Sequence, residues 1–191
     1  MLLSFQHRLA DREVQQLYRR IQRIQTVIRI ACVGGSKIRF GIFMPTVLVA
    51  TSTFPRWSKD TVPARFVFDL SLQLKRHFHV IVLAPHAPGA AFRETMDGLE
   101  IYRFPYFWPH GLQSLCNGGG IMPALRSGMF PKIQAPFLFL MEWYYLIKIL
   151  KTRSIDLINS HWMIPQGFSV ALAKLFFPRI PHLLTIHSTY P

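Results

Sequence analysis

From Met44 onward, short apolar runs alternate with segments whose apolar residues recur every three or four positions. Thr46–Ser52 (TVLVATS), His79–Ala84 (HVIVLA), Leu99–Phe104 (LEIYRF), Asp156–Ser160 and His182–Ile186 read as strands. Most are too continuously apolar for a half-exposed sheet and fit a buried parallel one. Asp97-Gly98 marks a tight turn into the third run. Asp60 and Thr61 offer N-caps ahead of Pro63, and Phe66, Leu70 and Leu74 then mark one helix face. Further helices are expected over about Ile133–Lys151 and over Pro165–Phe177, the second opening with proline in its first turn. Pro105–Pro131 reads as one long loop, too aromatic to be disordered by composition, and long loops in compact domains are commonly functional. The pattern predicts an α/β fold: a Rossmann-like parallel sheet with helices on both faces, incomplete at five strands.

Residues 9–30 carry a different pattern. Leu17, Ile21, Ile24 and Ile28 recur at helical spacing, extended by Val14, with Arg12, Arg19, Arg20 and Arg23 mostly between them. Such a basic amphipathic helix could lie on an anionic membrane surface, or be a plain solvated helix. The favoured reading is that residues 1–43 are an extension that is not native, because Met44 opens a strong strand. The expected division is therefore 1–43 as basic extension and 44–191 as domain.

Composition narrows the classes. Half of the 191 residues are hydrophobic and 16% are charged, which excludes disorder. Two cysteines, Cys32 and Cys116, exclude a disulfide-dense scaffold and a cysteine-rich zinc site. The net charge of +13 calls for an anionic partner. Eight of the 22 Lys and Arg fall in residues 1–43 against Asp11 and Glu13, so the excess is concentrated there. Ile133–Leu150 is apolar enough to examine as a membrane span, but Pro136, Glu142 and Lys148 interrupt it.

Open parallel sheets bind ligands beyond the carboxyl ends of their strands. Here that rule selects Thr51–Phe54, Pro85 with His86, Ser160 with His161, and His187 with Ser188. No G-x-G-x-x-G follows the first strand and no acidic residue closes the second, which disfavours a dinucleotide dehydrogenase. Gly118, Gly119 and Gly120 lack the strand and the Lys-Ser/Thr of a P-loop; they form either a flexible loop or a close approach to substrate. The histidine spacing gives no metal site.

TSTFPRWSKDTVPARFV (Thr51–Val67), VIVLAPHAPG (Val80–Gly89), DGLEIYRFPYF (Asp97–Phe107), GGGI (Gly118–Ile121), INSHWMIPQG (Ile158–Gly167) and LLTIH (Leu183–His187) occur in that order. Together they resemble the N-terminal, acceptor-side domain of glycosyltransferase family 4, the retaining enzymes of GT-B fold. The resemblance spans about Met44 to His187. It implies transfer of a sugar from a nucleotide-diphospho-sugar to a sugar or lipid-linked acceptor with retention, with no metal and no cofactor beyond the donor substrate. By match to the family pattern, His187 is the catalytic histidine at the donor sugar. His161 and Trp162 line the acceptor side, and the turn Thr53, Phe54, Pro55, Arg56 and Trp57 shapes the acceptor pocket. Asn159 stands where the family usually has a first histidine.

The family's glycine-containing turn and aspartate do not follow His187; the chain reads Ser188-Thr189-Tyr190-Pro191. The expectation is a truncated product without the C-terminal donor domain, with little activity alone, located in the cytoplasm or peripherally at the inner membrane face. The alternative is a non-catalytic module that binds an anionic membrane surface through the basic N-terminal helix. Nucleic acid is disfavoured, since charge alone supports it.

Overall fold

A computed structural model describes Arg19 and residues 44–60, 65–116 and 121–186. Six strands form one sheet in the order β3-β4-β2-β1-β5-β6. They are β1 (Thr46–Ala50), β2 (His79–Pro85), β3 (Arg93–Met96), β4 (Leu99–Phe104), β5 (Leu157–His161) and β6 (His182–Thr185). Every pairing is parallel except β3 with β4. The central strand β1 pairs Leu48 with Ile81 on one side and with Ile158 on the other.

Side-chain alternation sends the two faces of each strand to different helices. On one face, Val47, Val49, Val80 and Val82 pack against Phe68, Leu70 and Leu74 of α1 (Arg65–Leu74). On the other, Leu48, Ile81, Leu83 and Ile158 meet Leu138, Leu146 and Ile149 of α3 (Met129–Thr152). Val170 and Ala173 of α4 (Phe168–Ala173) complete that second layer. The result is the expected α/β Rossmann-like arrangement with helices on both faces. Each completely buried aliphatic side chain contributes about 1.5–3 kcal/mol, so these two layers hold the sheet between them.

The structure corrects four local expectations. A sixth strand, β3, precedes the Asp97-Gly98 turn and pairs Met96 with Leu99. Its sequence, Arg-Glu-Thr-Met, carries no apolar run because it is an antiparallel edge exposed on most of its length. Asp97 and Gly98 both have positive φ, +50° and +80°, as a two-residue hairpin turn of this kind requires.

The loop expected over Pro105–Pro131 holds a 3-10 turn at His110–Leu112 and a helix, α2, at Ile121–Ser127. The helix expected from Ile133 starts at Met129 and runs unbroken through Pro136. Pro131 lies in its first turn, where a missing N–H costs nothing. The helix expected from Pro165 begins as a wide turn, Met163–Gly167, and is regular only over Phe168–Ala173. The amphipathic segment 9–30 falls outside the described residues apart from Arg19, as do Gly118–Gly120 and His187.

Candidate functional site

The sheet changes direction of winding beside β1. From β1 the chain builds outward through β2 and β4, then returns to place β5 and β6 on the opposite side. The crevice beyond the carboxyl ends of β1 and β5 is therefore the switch point at which open α/β sheets bind ligands. Thr51–Trp57 forms one lip and His161–Gly167 the other.

One side chain joins the two lips. The Gln166 amide donates to the His161 carbonyl at 3.2 Å and accepts from the Ser52 N–H at 3.2 Å. Gln166 is completely buried, so both bonds form away from water and neither partner has a solvent alternative. The first lip is tightened further by Thr51, whose hydroxyl donates to the Thr53 carbonyl at 3.0 Å.

On the second lip, Trp162 adopts φ +77° and ψ +145°, a region that non-glycine residues rarely occupy. Its N–H donates to the Thr185 carbonyl at 2.9 Å, and its own carbonyl accepts from the Gly167 N–H at 3.1 Å. These two bonds hold a backbone that costs about 1–3 kcal/mol, the kind of strain that collects at functional sites. Gly167 leaves room for this close approach: a Cβ would lie 2.9 Å from Leu184 Cδ1 and 3.2 Å from the Trp162 carbonyl oxygen.

Beneath the crevice, on the α1 side of the sheet, sits a buried polar cluster. Thr185 Oγ1 donates to Asn159 Oδ1 at 3.2 Å, and Asn159 Nδ2 lies 3.3 Å from His161 Nε2. Since the Asn159 amide nitrogen can only donate, His161 Nε2 accepts and the ring proton resides on Nδ1. Phe66 of α1 covers the imidazole, ring centroids 6.4 Å apart. Ser160 points to the opposite face and contacts His182 Nε2 at 2.7 Å. Burial and the nearby Lys174 lower the His182 pKa.

The site residues expected from sequence thus divide by exposure. Thr53, Phe54, Pro55 and His161 are buried, and Phe54 packs edge-on against Phe68 at 5.6 Å. Arg56, Trp57 and Trp162 reach solvent. Arg56 stacks over the Trp57 ring at 4.4 Å while its Nε donates to Asp60 Oδ2 at 2.9 Å. That bond raises the Arg56 pKa, opposed by desolvation and aided by the negative charge of Asp60.

Two further groups support this edge: Arg103, which the sequence reading passed over, and His86, which it placed at the end of the second strand. Arg103 of β4 is buried under the first lip, donating to the Pro55 carbonyl at 2.8 Å and to Glu94 at 2.7 Å. Among the described residues its Nε and Nη1 have no hydrogen-bond partner, and desolvation lowers its pKa despite Glu94. His86, after β2, stacks on Phe92 at 4.3 Å and lies 3.2 Å from Gln113 Nε2. His86 Nε2 donates to the Ala90 carbonyl at 3.1 Å, which leaves Nδ1 to accept from Gln113, and burial lowers the His86 pKa. Arg103 lies within the run Leu99–Phe104 that was expected as a strand, and Gln113 lies in the segment Pro105–Pro131 expected as loop. Among the described residues, no group of three His, Cys, Asp or Glu is placed to hold a metal ion.

A sequence model of Glycosyltransferase Family 4 matches residues 63–191, about two thirds of the chain. The chain belongs to glycosyltransferase family 4. Within that match fall β2, β4, the Asn159–Trp162 lip, Gln166 and the position of His187. No curated protein matches this family 4 chain in sequence. Among solved structures, the C-terminal domain of a hydrogenase from Pyrococcus furiosus aligns with TM-score 0.41 and 11% identity, over 78% of this chain and 98% of that one. At that level of likeness no activity carries over.

Proposed function

We propose that this family 4 chain forms the acceptor-side domain of a retaining glycosyltransferase, which transfers a sugar from a nucleotide-diphospho-sugar to a sugar or lipid-linked hydroxyl. The observation that carries the reading is the crevice at the switch point. It is bridged by Gln166, rimmed by the strained Trp162, and lies within or beside the family match.

In this reading the exposed Trp57 and the half-buried Arg56 and Trp162 contact the acceptor. Aromatic faces suit the apolar C–H surface of a pyranose ring, and Arg56 suits its hydroxyls or an acidic substituent. Thr53, Phe54, Pro55 and His161 act from beneath by fixing the lips. His187, just beyond β6, is the residue proposed to reach the reacting sugar. Transfer needs acceptor hydroxyl, anomeric carbon and leaving diphosphate held at near-attack distance in a closed cleft. Residues 1–191 contribute one wall of that cleft, so a donor-binding half must supply the other, in the same polypeptide or a second one. The proposed location is the cytoplasm.

Acceptor binding tests the site without requiring turnover. Titration of mono- and disaccharides and of lipid-linked sugars against the chain should perturb tryptophan fluorescence through Trp57 and Trp162. Trp57→Ala and Trp162→Gly should each abolish most of that response. A saturable acceptor response unchanged in both variants would move the site elsewhere on the fold.

A further inference from the structure

The α3 helix presents an apolar face that nothing among the described residues covers. Met129, Ile133, Phe137, Leu140 and Tyr144 are spaced four, four, three and four residues apart, forming one stripe. They are 47–72% exposed. The opposite stripe, Leu138, Leu146 and Ile149, is buried against the sheet. Ring contacts carry the surface onto α4: Phe139 meets Phe168 at 5.4 Å and Trp143 meets Phe176 at 6.2 Å. Monomeric soluble proteins seldom leave so long a continuous apolar face open.

The charge around this face selects its occupant. Lys148 and Lys151 continue the exposed stripe beyond Tyr144, and Arg126 and Lys132 flank its other end. Lys174 and Arg179 follow α4. The only acidic residues over 121–180 are Glu142, which is buried, and Asp156, which accepts the Thr46 N–H at 2.7 Å. An apolar stripe with a basic surround matches a layer of acyl chains beneath anionic headgroups. A second copy would bring like charges together.

We propose that the exposed face of α3, with α4 beside it, docks this protein onto an anionic lipid bilayer, lying in the interface plane. The helix is long and apolar enough to cross a membrane, but its other side closes the domain core. Gln134 on that side donates to the Leu112 carbonyl at 2.8 Å and accepts from the Ser114 N–H at 3.1 Å, bonds that crossing would break. The helix therefore lies along the surface, with its apolar side chains about 5–10 Å deep. This docking surface is separate from the acceptor crevice and does not depend on its assignment.

Vesicle sedimentation of the full 191-residue chain tests it, using phosphatidylcholine alone and phosphatidylcholine with about one third phosphatidylglycerol. The chain should sediment with the anionic vesicles and weakly with the neutral ones. Leu140→Glu combined with Tyr144→Glu should lower partition about tenfold or more, with far-ultraviolet circular dichroism unchanged. Lys148→Glu with Lys151→Glu should remove the preference for phosphatidylglycerol. An environment-sensitive dye on Leu140→Cys in a Cys32→Ser background should shift to the blue on anionic vesicles, while the same dye on Lys59→Cys should not. This arm decides the matter if the charged variants misfold. No binding to anionic vesicles, or no dye shift at position 140, would overturn the proposal. So would binding that survives Leu140→Glu/Tyr144→Glu but disappears without residues 1–43. A discrete dimer in the absence of lipid, dissociated by Leu140→Glu, would also overturn it in favour of a second copy.

Discussion

Gln166 accepts the Ser52 N–H at 3.2 Å and so ties the turn after β1 to the turn after β5. Gln166→Leu keeps the volume but strands the Ser52 N–H and removes a donor from the His161 carbonyl. A buried unsatisfied group costs about 1–3 kcal/mol. The melting temperature followed by circular dichroism should drop by several degrees. An unchanged melting temperature would mean that the lips are held by other contacts.

Gly167→Ala should be costlier than an ordinary glycine substitution. Its φ is helical, so alanine fits the backbone, but the new methyl meets Leu184 and the Trp162 carbonyl. Overpacking of this kind costs about 1–3 kcal/mol. Leu184→Ala in the same chain should recover part of the loss, because it removes the nearer contact. Thermal unfolding of the two single variants and the double variant measures the coupling, and strict additivity would refute the clash.

Arg103 and Glu94 form a pair with one buried member, in contrast to the exposed pair Arg65–Asp69. Glu94→Ala leaves a buried guanidinium with the Pro55 carbonyl as its hydrogen-bond partner and should cost about 2–3 kcal/mol, somewhat discounted because Glu94 is partly exposed. Asp69→Ala should cost less than about 1 kcal/mol. Urea unfolding of both variants checks the ordering. Equal costs would show that Arg103 is solvated in the folded chain.

Glu142, buried on α3, sets an alkaline limit to stability. Burial raises its pKa from 4.5 to about 8. The unfolded chain ionises first, so the stabilising contribution is complete below pH 4.5, declines as pH rises, and is gone above about pH 8. The loss amounts to roughly a few kcal/mol. The melting temperature should fall between pH 6 and pH 9 in the parent, and Glu142→Gln should flatten that decline. His86 works in the opposite sense: its lowered pKa gives stability present above 6.5 and lost in acid. A Glu142→Gln chain with the parent's alkaline slope would assign the effect to another group.

What the sequence reveals follows from how strongly burial constrains each segment. Strands β1, β2 and β4 are sealed between layers, and their apolar runs mark them to within two residues. β3 is an exposed edge held by backbone bonds and Arg93–Glu100 pairing, so its sequence bears no hydrophobic signature. The early start of α3 was masked by Pro131, taken as the end of the loop although it sits in the first turn of the helix. At the site, the rule about carboxyl strand ends located Thr51–Phe54 and His161. It could not separate the buried His161 from the half-buried Trp162, because burial at a strand end depends on Phe66 of a distant helix. Gln166 bridges segments more than a hundred residues apart, a relation that no local pattern encodes.

The central claim is that this chain is the acceptor half of a sugar-transferring enzyme. The most direct measurement is radiolabelled-sugar transfer from a panel of nucleotide-diphospho-sugars, comparing residues 1–191 alone with the same residues joined to a family 4 donor domain. The account predicts no detectable transfer by residues 1–191 and transfer by the joined enzyme. In the joined enzyme His187→Ala should lower the rate by roughly a hundredfold or more, the scale of one lost transition-state contact. Transfer by residues 1–191 alone at the joined enzyme's rate, or a His187→Ala enzyme as active as its parent, would contradict it.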